Sequence, residues 1–248
     1  MKAIMLAAGR GSRLSGDNPD HPPKSLLQFG GLSLLERHIQ VLRAVGIEQL
    51  TLVVGYRAHD LRAELARIGA EDFVETVDNP DFYDGTGVSL FCARETLQSG
   101  ARVLFMDADV LYHPDLIERL VASPNENCFL LDQNFEDSDE PVRLCIKNGR
   151  VVEFRKAVDM DCDLVGEWPG FLTVGPQIAR TVCGVLERSI KSGDRAAPME
   201  EAIREVAMTA PAHTFRIEDI TGLPWIEIDF PEDLVRAEAE ILPNLPQH

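Results

Sequence analysis

Short apolar runs alternate with helix-spaced stretches through the first half of this chain. Ala3–Ala8, Leu50–Val54, Phe73–Val77 and Val103–Met106 read as strands, the last of them fully apolar. Leu34–Val45, His59–Ile68 and Ser89–Leu97 carry helical spacing, the first stopped by Gly46 where a left-handed cap belongs. Alternation of this kind predicts a mainly parallel sheet with helices on both faces.

The second half reads differently. Asn125–Leu131, Val142–Ile146 and Val151–Phe154 are predicted to be antiparallel strands joined by polar turns such as Lys147-Asn148-Gly149. Leu172–Val174 follows as a strand, then helices over Pro176–Ile190 and Met199–Val206. The last strand is Trp225–Ile228, and a helix runs from Pro231 to Ile241 with Pro231, Glu232 and Asp233 suited to its first turn. There is no internal repeat or linker, so residues 1–248 are expected to form one α/β domain with a mixed, mainly parallel sheet.

Composition narrows the ligands. The 45% hydrophobic content can fill a core, while a net charge of -17 opposes nucleic acid and anionic membrane as partners. An anionic substrate must then be drawn by local cations or a metal ion. The N-terminal apolar run is too short for a secretory core or a span, and no stretch approaches the roughly 18 residues a span needs. Cys92, Cys128, Cys145, Cys162 and Cys183 are scattered, which suggests reduced thiols in a cytoplasmic protein.

The strand Ala3–Ala8 runs into Gly9-Arg10-Gly11-Ser12-Arg13, and a stretch with prolines at 19, 22 and 23 delivers Lys24. Glycines let backbone N–H groups approach an anion, and Arg10, Arg13 and Lys24 add positive charge there. A third glycine is missing, and the prolines prevent a helix from opening directly, so a dinucleotide fingerprint is excluded. No Gly-Lys-Ser/Thr follows, which excludes a P-loop. A triphosphate cradle is the better reading; a solvated turn with stray arginines is the alternative.

Asp107-Ala108-Asp109 ends a strand where open parallel sheets place ligands, and two carboxylates there suit Mg²⁺. Asp229 ends another apolar run and can meet Asp109, although it also suits the cap of the helix at Pro231. The turn Tyr83-Asp84-Gly85-Thr86-Gly87-Val88-Ser89 can face a nucleobase or be an ordinary capped loop that opens a helix, which these residues alone favour. Lys156 follows a strand and precedes an acidic loop, so a second anionic group can sit there; an ordinary surface lysine is the default alternative. Trp168 and Trp225 each lie beside a carboxylate, Glu167 and Glu227, and tryptophan faces hold quaternary ammonium groups well; two core or lid aromatics are the alternative, and the residues alone favour it.

LAAGRGSRL (6–14), PPKSLLQFGG (22–31), MDADVLY (106–112) and EIDFPEDL (227–234) together resemble the nucleotidyltransferase family of sugar-nucleotide pyrophosphorylases. DGTGVSLFCA (84–93) and DITGLPWIEIDFPEDL (219–234) are more similar to its bacterial cytidylyltransferases, which act on phosphocholine, inositol phosphate or aminoalkylphosphonates. The resemblance implies a three-layer α/β/α, Rossmann-like (GT-A-like) fold, with residues to about 123 holding nucleotide and those from about 124 the acceptor. It implies Mg²⁺-dependent transfer of CMP from CTP, with Lys24, Arg13 and Lys156 catalytic and Asp109 and Asp229 on the metal. Ala7, Ala8, Gly9, Arg10, Gly11, Ser12, Gly85, Thr86, Gly87, Ser89 and Asp107 would line the nucleotide. Glu167, Trp168, Glu200, Trp225 and Asp161 are the acceptor candidates for a cationic phosphoester or phosphonate, such as phosphocholine or 2-aminoethylphosphonate. Rival readings are a sugar-1-phosphate or polyol-phosphate enzyme using CTP or another NTP, a glycosyltransferase of related fold, and a nucleotide-binding subunit without catalysis. A homodimer is possible.

Overall fold

The computed structural model describes residues 1–246 apart from Asp17, Pro19 and residues 136–140. The reading of Pro19 as part of the proline stretch therefore lies outside the described residues.

In chain order the strands are β1 (Lys2–Ala7), β2 (Gln28–Phe29), β3 (Leu32–Ser33), β4 (Gln49–Val54), β5 (Val74–Asp78), β6 (Val103–Asp107) and β7 (Val110–Tyr112). They continue as β8 (Cys128–Leu131), β9 (Arg143–Lys147), β10 (Arg150–Arg155), β11 (Leu164–Glu167), β12 (Phe171–Val174), β13 (Arg216–Asp219) and β14 (Trp225–Glu227). The α-helices are α1 (Ser12–Ser15), α2 (Leu34–Ala44), α3 (Ala58–Arg67), α4 (Thr86–Cys92) and α5 (Arg94–Leu97). After them come α6 (Asp115–Ala122), α7 (Pro176–Lys191), α8 (Met199–Thr209) and α9 (Pro231–Arg236).

Strand periodicity sorts the core into two faces. Along β6, Val103 and Phe105 pack on one side with α4, α5, α7 and α8, while Leu104 and Met106 pack on the other with α2, α3 and α6. The sheet between them runs β13-β8-β12-β6-β1-β4-β5. β5, β4, β1 and β6 are parallel; β12 is antiparallel to both β6 and β8, and β13 returns parallel to β8. The mixed, mainly parallel sheet of the sequence reading is therefore present, and both halves of the chain supply its strands.

Several expectations change. Cys128–Leu131 does not pair with the Val142 region; all four of its residues are buried, and it takes a place within the large sheet. β9 instead pairs with β10 and β11 in a small sheet over the α8 side. Ser89–Leu97 is two helices, beginning earlier at Thr86 and broken at Ala93. The last helix is α-helical to Arg236 and widens into a π turn over Ala237–Ile241. One turn, α1, does open directly after Gly11, and it ends at Gly16 before the prolines.

Cys145 and Cys162 form a disulfide, with Cα atoms 5.6 Å apart. The expectation of uniformly reduced thiols is thus corrected: β9–β11 pairing brings the loop before β11 onto β9, which no local Cys motif announces. Cys92, Cys128 and Cys183 are free. No helix among the described residues is long and apolar enough to cross a membrane.

Candidate active site

The carboxyl ends of β1 and β6 lie side by side, with Leu6 in register with Asp107. β1 delivers the Gly/Arg loop and β6 the Asp107-Ala108-Asp109 turn to the same edge. A cavity of about 490 Å³ opens there.

Residues 227–229 reach this edge through a second, two-stranded sheet. β7 continues from the turn and pairs antiparallel with β14, Val110 opposite Glu227. The Ile228 N–H donates to the Asp109 carbonyl at 2.9 Å, which sets Asp109 between Glu227 and Asp229. Residues two apart on extended chain share a face, so Glu227 and Asp229 both face the cavity. Oxygens of Asp109, Glu227 and Asp229 all lie within 4.8 Å of one another. Three carboxylates are a hard-oxygen set that fits Mg²⁺.

Asp229 does not cap the following helix. Asp233 does so instead, its Oδ2 accepting from the Asp229 and Phe230 N–H groups at 2.9 and 2.7 Å. The Asp229 carboxylate is left to the cations, accepting from Lys24 Nζ at 2.6 Å and Arg13 Nη1 at 2.5 Å. Lys24 also donates to Asp109 Oδ2 at 2.8 Å. Its stem crosses Gly11, which holds φ +65°; a Cβ there would meet Lys24 Cγ at 3.0 Å. Gly11 thus serves both the left-handed turn and the passage of Lys24.

Carboxylates outnumber cations in the cavity wall. Six carboxylates (Asp84, Asp107, Asp109, Glu200, Glu227, Asp229) and three cations (Arg13, Lys24, Lys156) line the cavity, so a triphosphate needs added positive charge to enter. Burial alone would lower the Lys24 pKa, but Asp109 and Asp229 override it and hold the ammonium protonated well above the usual lysine range. Burial, then the charge of Asp109, holds the Asp107 carboxyl well above the usual carboxylate range. Glu227 keeps surface open to the cleft yet is hemmed in by protein; burial, then Asp109 and Asp229, push it up to about 8.

The cavity is lined by Ala7, Ala8, Gly9, Gly11 and Ser12 from the first loop, and by Thr86, Ser89 and Asp107. Arg10 is not part of the lining. Gly85 and Gly87 are not either, because their N–H groups donate to the Arg195 and Ala197 carbonyls at 2.8 and 3.2 Å. A Cβ on Gly85 would lie 2.3 Å from the Ala197 oxygen. These glycines let the 84–89 turn press against residues 195–199 as it opens α4, the second of the two readings the sequence allowed, rather than offer Gly85 and Gly87 to a nucleobase edge. Arg195 fastens the same contact by pairing with Asp81 and Asp84 at 2.7 Å each.

Of the acceptor candidates, Trp168 and Glu200 line the cavity together with Lys156. Trp168 is buried, its indole N–H donates to the Phe171 carbonyl at 2.7 Å, and its ring meets Phe154 edge-on. Glu200 Oε2 is buried and lacks a hydrogen-bond partner; burial raises the carboxyl's pKa, against a hydrogen bond from its own backbone N–H and then the charge of nearby Lys156. Trp225, Glu167 and Asp161 are not brought to the cavity. The Trp225 indole N–H binds Asp132 at 2.7 Å, the Glu167 backbone pairs with Asp132, and Asp161 pairs with Lys147 at the surface. Glu227 was read in sequence only as the neighbour of a tryptophan. The signal for its place among the metal-type oxygens was its spacing two residues before Asp229.

Residues 3–158 match the MobA-like NTP transferase domain. The chain is 30% identical over 247 residues to the bifunctional IPC transferase and DIPP synthase of Rubrobacter xylanophilus, covering 97% of itself and 52% of that protein. It is 28% identical over 264 residues to the CMP-5'-(3-aminopropyl)phosphonate synthase of Streptomyces rubellomurinus, covering 100% of itself and 40% of that protein. The chain thus spans about half, or less, of the length of these relatives. The inositol-1-phosphate CTP transferase of T. maritima has a similar fold, with TM-score 0.78, 20% identity, and coverage of 98% of this chain and 95% of that one. The matched domain covers well over half of the sequence and carries both the Gly/Arg loop and the Asp107–Asp109 turn. The chain belongs to the MobA-like NTP transferase family of nucleotidyltransferases.

Proposed function

We propose that this protein transfers CMP from CTP to a small phosphorylated or phosphonate acceptor carrying a cationic group, with Mg²⁺ held by Asp109, Glu227 and Asp229. The observation that carries the reading is the convergence of Lys24 with Asp109 and Asp229 at the mouth of the Gly/Arg loop. An oxygen of the acceptor phosphate or phosphonate forms a bond to the α-phosphorus. The bond from that phosphorus to the β-bridging oxygen breaks, and its electron pair leaves with pyrophosphate. The attacking oxygen is already anionic, so no side chain has to remove a proton.

Repulsion between the two anions is what opposes the step. Mg²⁺, when bound, supplies charge neutralisation for the triphosphate and the departing pyrophosphate. Lys24 and Arg13 supply fixed cationic charge on the nucleotide side, and Lys156 orients the acceptor anion. Glu200 supports the cationic acceptor: a buried carboxylate oxygen with no partner is costly, and an ammonium group would satisfy it. The likeness to an aminopropylphosphonate synthase points the same way.

A neutral polyol phosphate is the second reading, favoured by the likeness to an inositol-1-phosphate CTP transferase. The test compares phosphocholine, 2-aminoethylphosphonate and inositol phosphate by pyrophosphate release, using the wild type and Glu200→Gln. An amine acceptor turned over fastest, with its KM raised tenfold or more by Glu200→Gln and the KM for CTP unchanged, supports the cationic reading. Inositol phosphate turned over faster, with Glu200→Gln neutral, overturns it.

A further inference from the structure

Behind the Asp107-Ala108-Asp109 turn, on the side away from the cavity, lies a histidine that the chemistry above does not use. His38 sits on α2 and is 1% exposed. Its Nε2 lies 3.3 Å from the Ala108 carbonyl oxygen and its Nδ1 lies 3.2 Å from the Tyr112 hydroxyl. The ring stacks on Tyr112 with centroids 5.2 Å apart, and Tyr112 meets Phe171 edge-on.

The partners fix the tautomer. Burial, with the charge of neighbouring Arg37 adding to it, lowers the His38 pKa to about 4, although the Ala108 carbonyl resists this shift. The ring is therefore neutral, with one N–H and one lone pair. A carbonyl only accepts, so Nε2 carries the proton and Nδ1 accepts from the Tyr112 O–H. Ala108 lies between Asp107 and Asp109, and Tyr112 ends β7, whose pairing with β14 holds Glu227 opposite Val110. One ring thus ties α2 to both ends of the segment that presents Asp109.

We infer that His38 is a positioning residue for the carboxylate site, fixing the Ala108 peptide and β7 so that Asp109 stays in place against Glu227 and Asp229. This rests on the metal reading above, toward which the ring acts only through the backbone.

The test is Mn²⁺ binding followed by electron paramagnetic resonance, alongside steady-state kinetics with CTP and acceptor. Wild-type protein that binds no Mn²⁺ defeats the metal reading itself. Given wild-type binding, His38→Phe retains the aromatic ring and removes both hydrogen bonds. The expected result is a Kd for Mn²⁺ raised about tenfold, in the range typical of lost second-layer support for metal ligands. The acceptor KM should stay within about twofold, and His38→Gln, which restores an N–H donor, should recover part of the affinity. Unchanged Mn²⁺ affinity in folded His38→Phe overturns the inference. Should that variant not fold, Tyr112→Phe decides: it removes the hydrogen bond from the Tyr112 hydroxyl to Nδ1, and with it the ring's hold on β7, while Nε2 still donates to Ala108, so weaker Mn²⁺ binding supports the inference and wild-type binding overturns it.

Discussion

Lys24 Nζ donates to Asp229 Oδ1 at 2.6 Å although 205 residues separate them. The contact joins the loop after the first strand to the loop after the last one, and Asp109 completes it from the middle of the chain. Replacing Lys24 by Ala is expected to lower kcat roughly 100- to 1,000-fold, the usual cost of losing one preorganised charged contact. Without metal, the variant should also melt at lower temperature, because Asp109 and Asp229 then face each other without their ammonium partner. Kinetics and thermal melts with and without Mg²⁺ check both outcomes.

Asp233 accepts the Asp229 and Phe230 N–H groups and so leaves the Asp229 carboxylate for Lys24 and Arg13. Asp233→Ala should cost about 1 kcal/mol in denaturant unfolding, the typical value of a helix cap. It should also weaken Mg²⁺ or Mn²⁺ binding, since the 229–230 backbone loses its anchor.

Glu227 has its pKa pushed up to about 8, above the ordinary glutamate value of 4.5. A group raised in the folded state stabilises fully below its unfolded pKa and loses that contribution as pH rises through the folded one. The metal-free protein should therefore lose stability between about pH 4.5 and 8. Metal requires the carboxylate, so Mg²⁺ affinity should rise over pH 6 to 8.5, with protons released on binding, to be read by calorimetry in buffers of different ionisation enthalpy. Glu227→Gln should flatten that pH dependence.

Gly85 lies where a Cβ would be 2.3 Å from the Ala197 oxygen. Gly85→Ala must push the 84–89 turn and residues 195–199 apart. The expected cost is about 1–3 kcal/mol of stability, typical of overpacking, with KM raised for both CTP and acceptor. Unfolding curves and two-substrate kinetics measure it.

The Cys145–Cys162 disulfide leaves Cys92, Cys128 and Cys183 as thiols. Thiol titration in denaturant without reductant should find three groups per chain. Reduction should cost up to about 3 kcal/mol, the scale for closing a loop of this length.

What was legible in the sequence follows from how local each signal is. The apolar runs of β1, β4 and β6 announce buried parallel strands because both faces of each are covered, whereas β5 is the edge of the sheet and buries only Val74 fully. Asp109 and Asp229 stand out because charge at the end of an apolar strand is costly without a partner, and Lys24 because it follows the Gly/Arg loop and its prolines. β7, only three residues long, and α6 were not anticipated, although β7 is what sets Asp109 against residues 227–229. Cys128–Leu131 looked like its antiparallel neighbours because strand identity says nothing of which sheet a strand enters. Trp225 and Trp168 illustrate the same limit: the sequence allows ligand-binding or core aromatics, and in the fold each spends its indole N–H on an internal acceptor.

The most direct test of the proposed reaction is ³¹P NMR of the purified protein with CTP, Mg²⁺ and phosphocholine or 2-aminoethylphosphonate. The account expects pyrophosphate to appear together with an equal amount of a CMP-linked product, and neither to form when Mg²⁺ is chelated. CTP persisting unchanged with these and every other phosphorylated acceptor, in the presence of Mg²⁺, would contradict it.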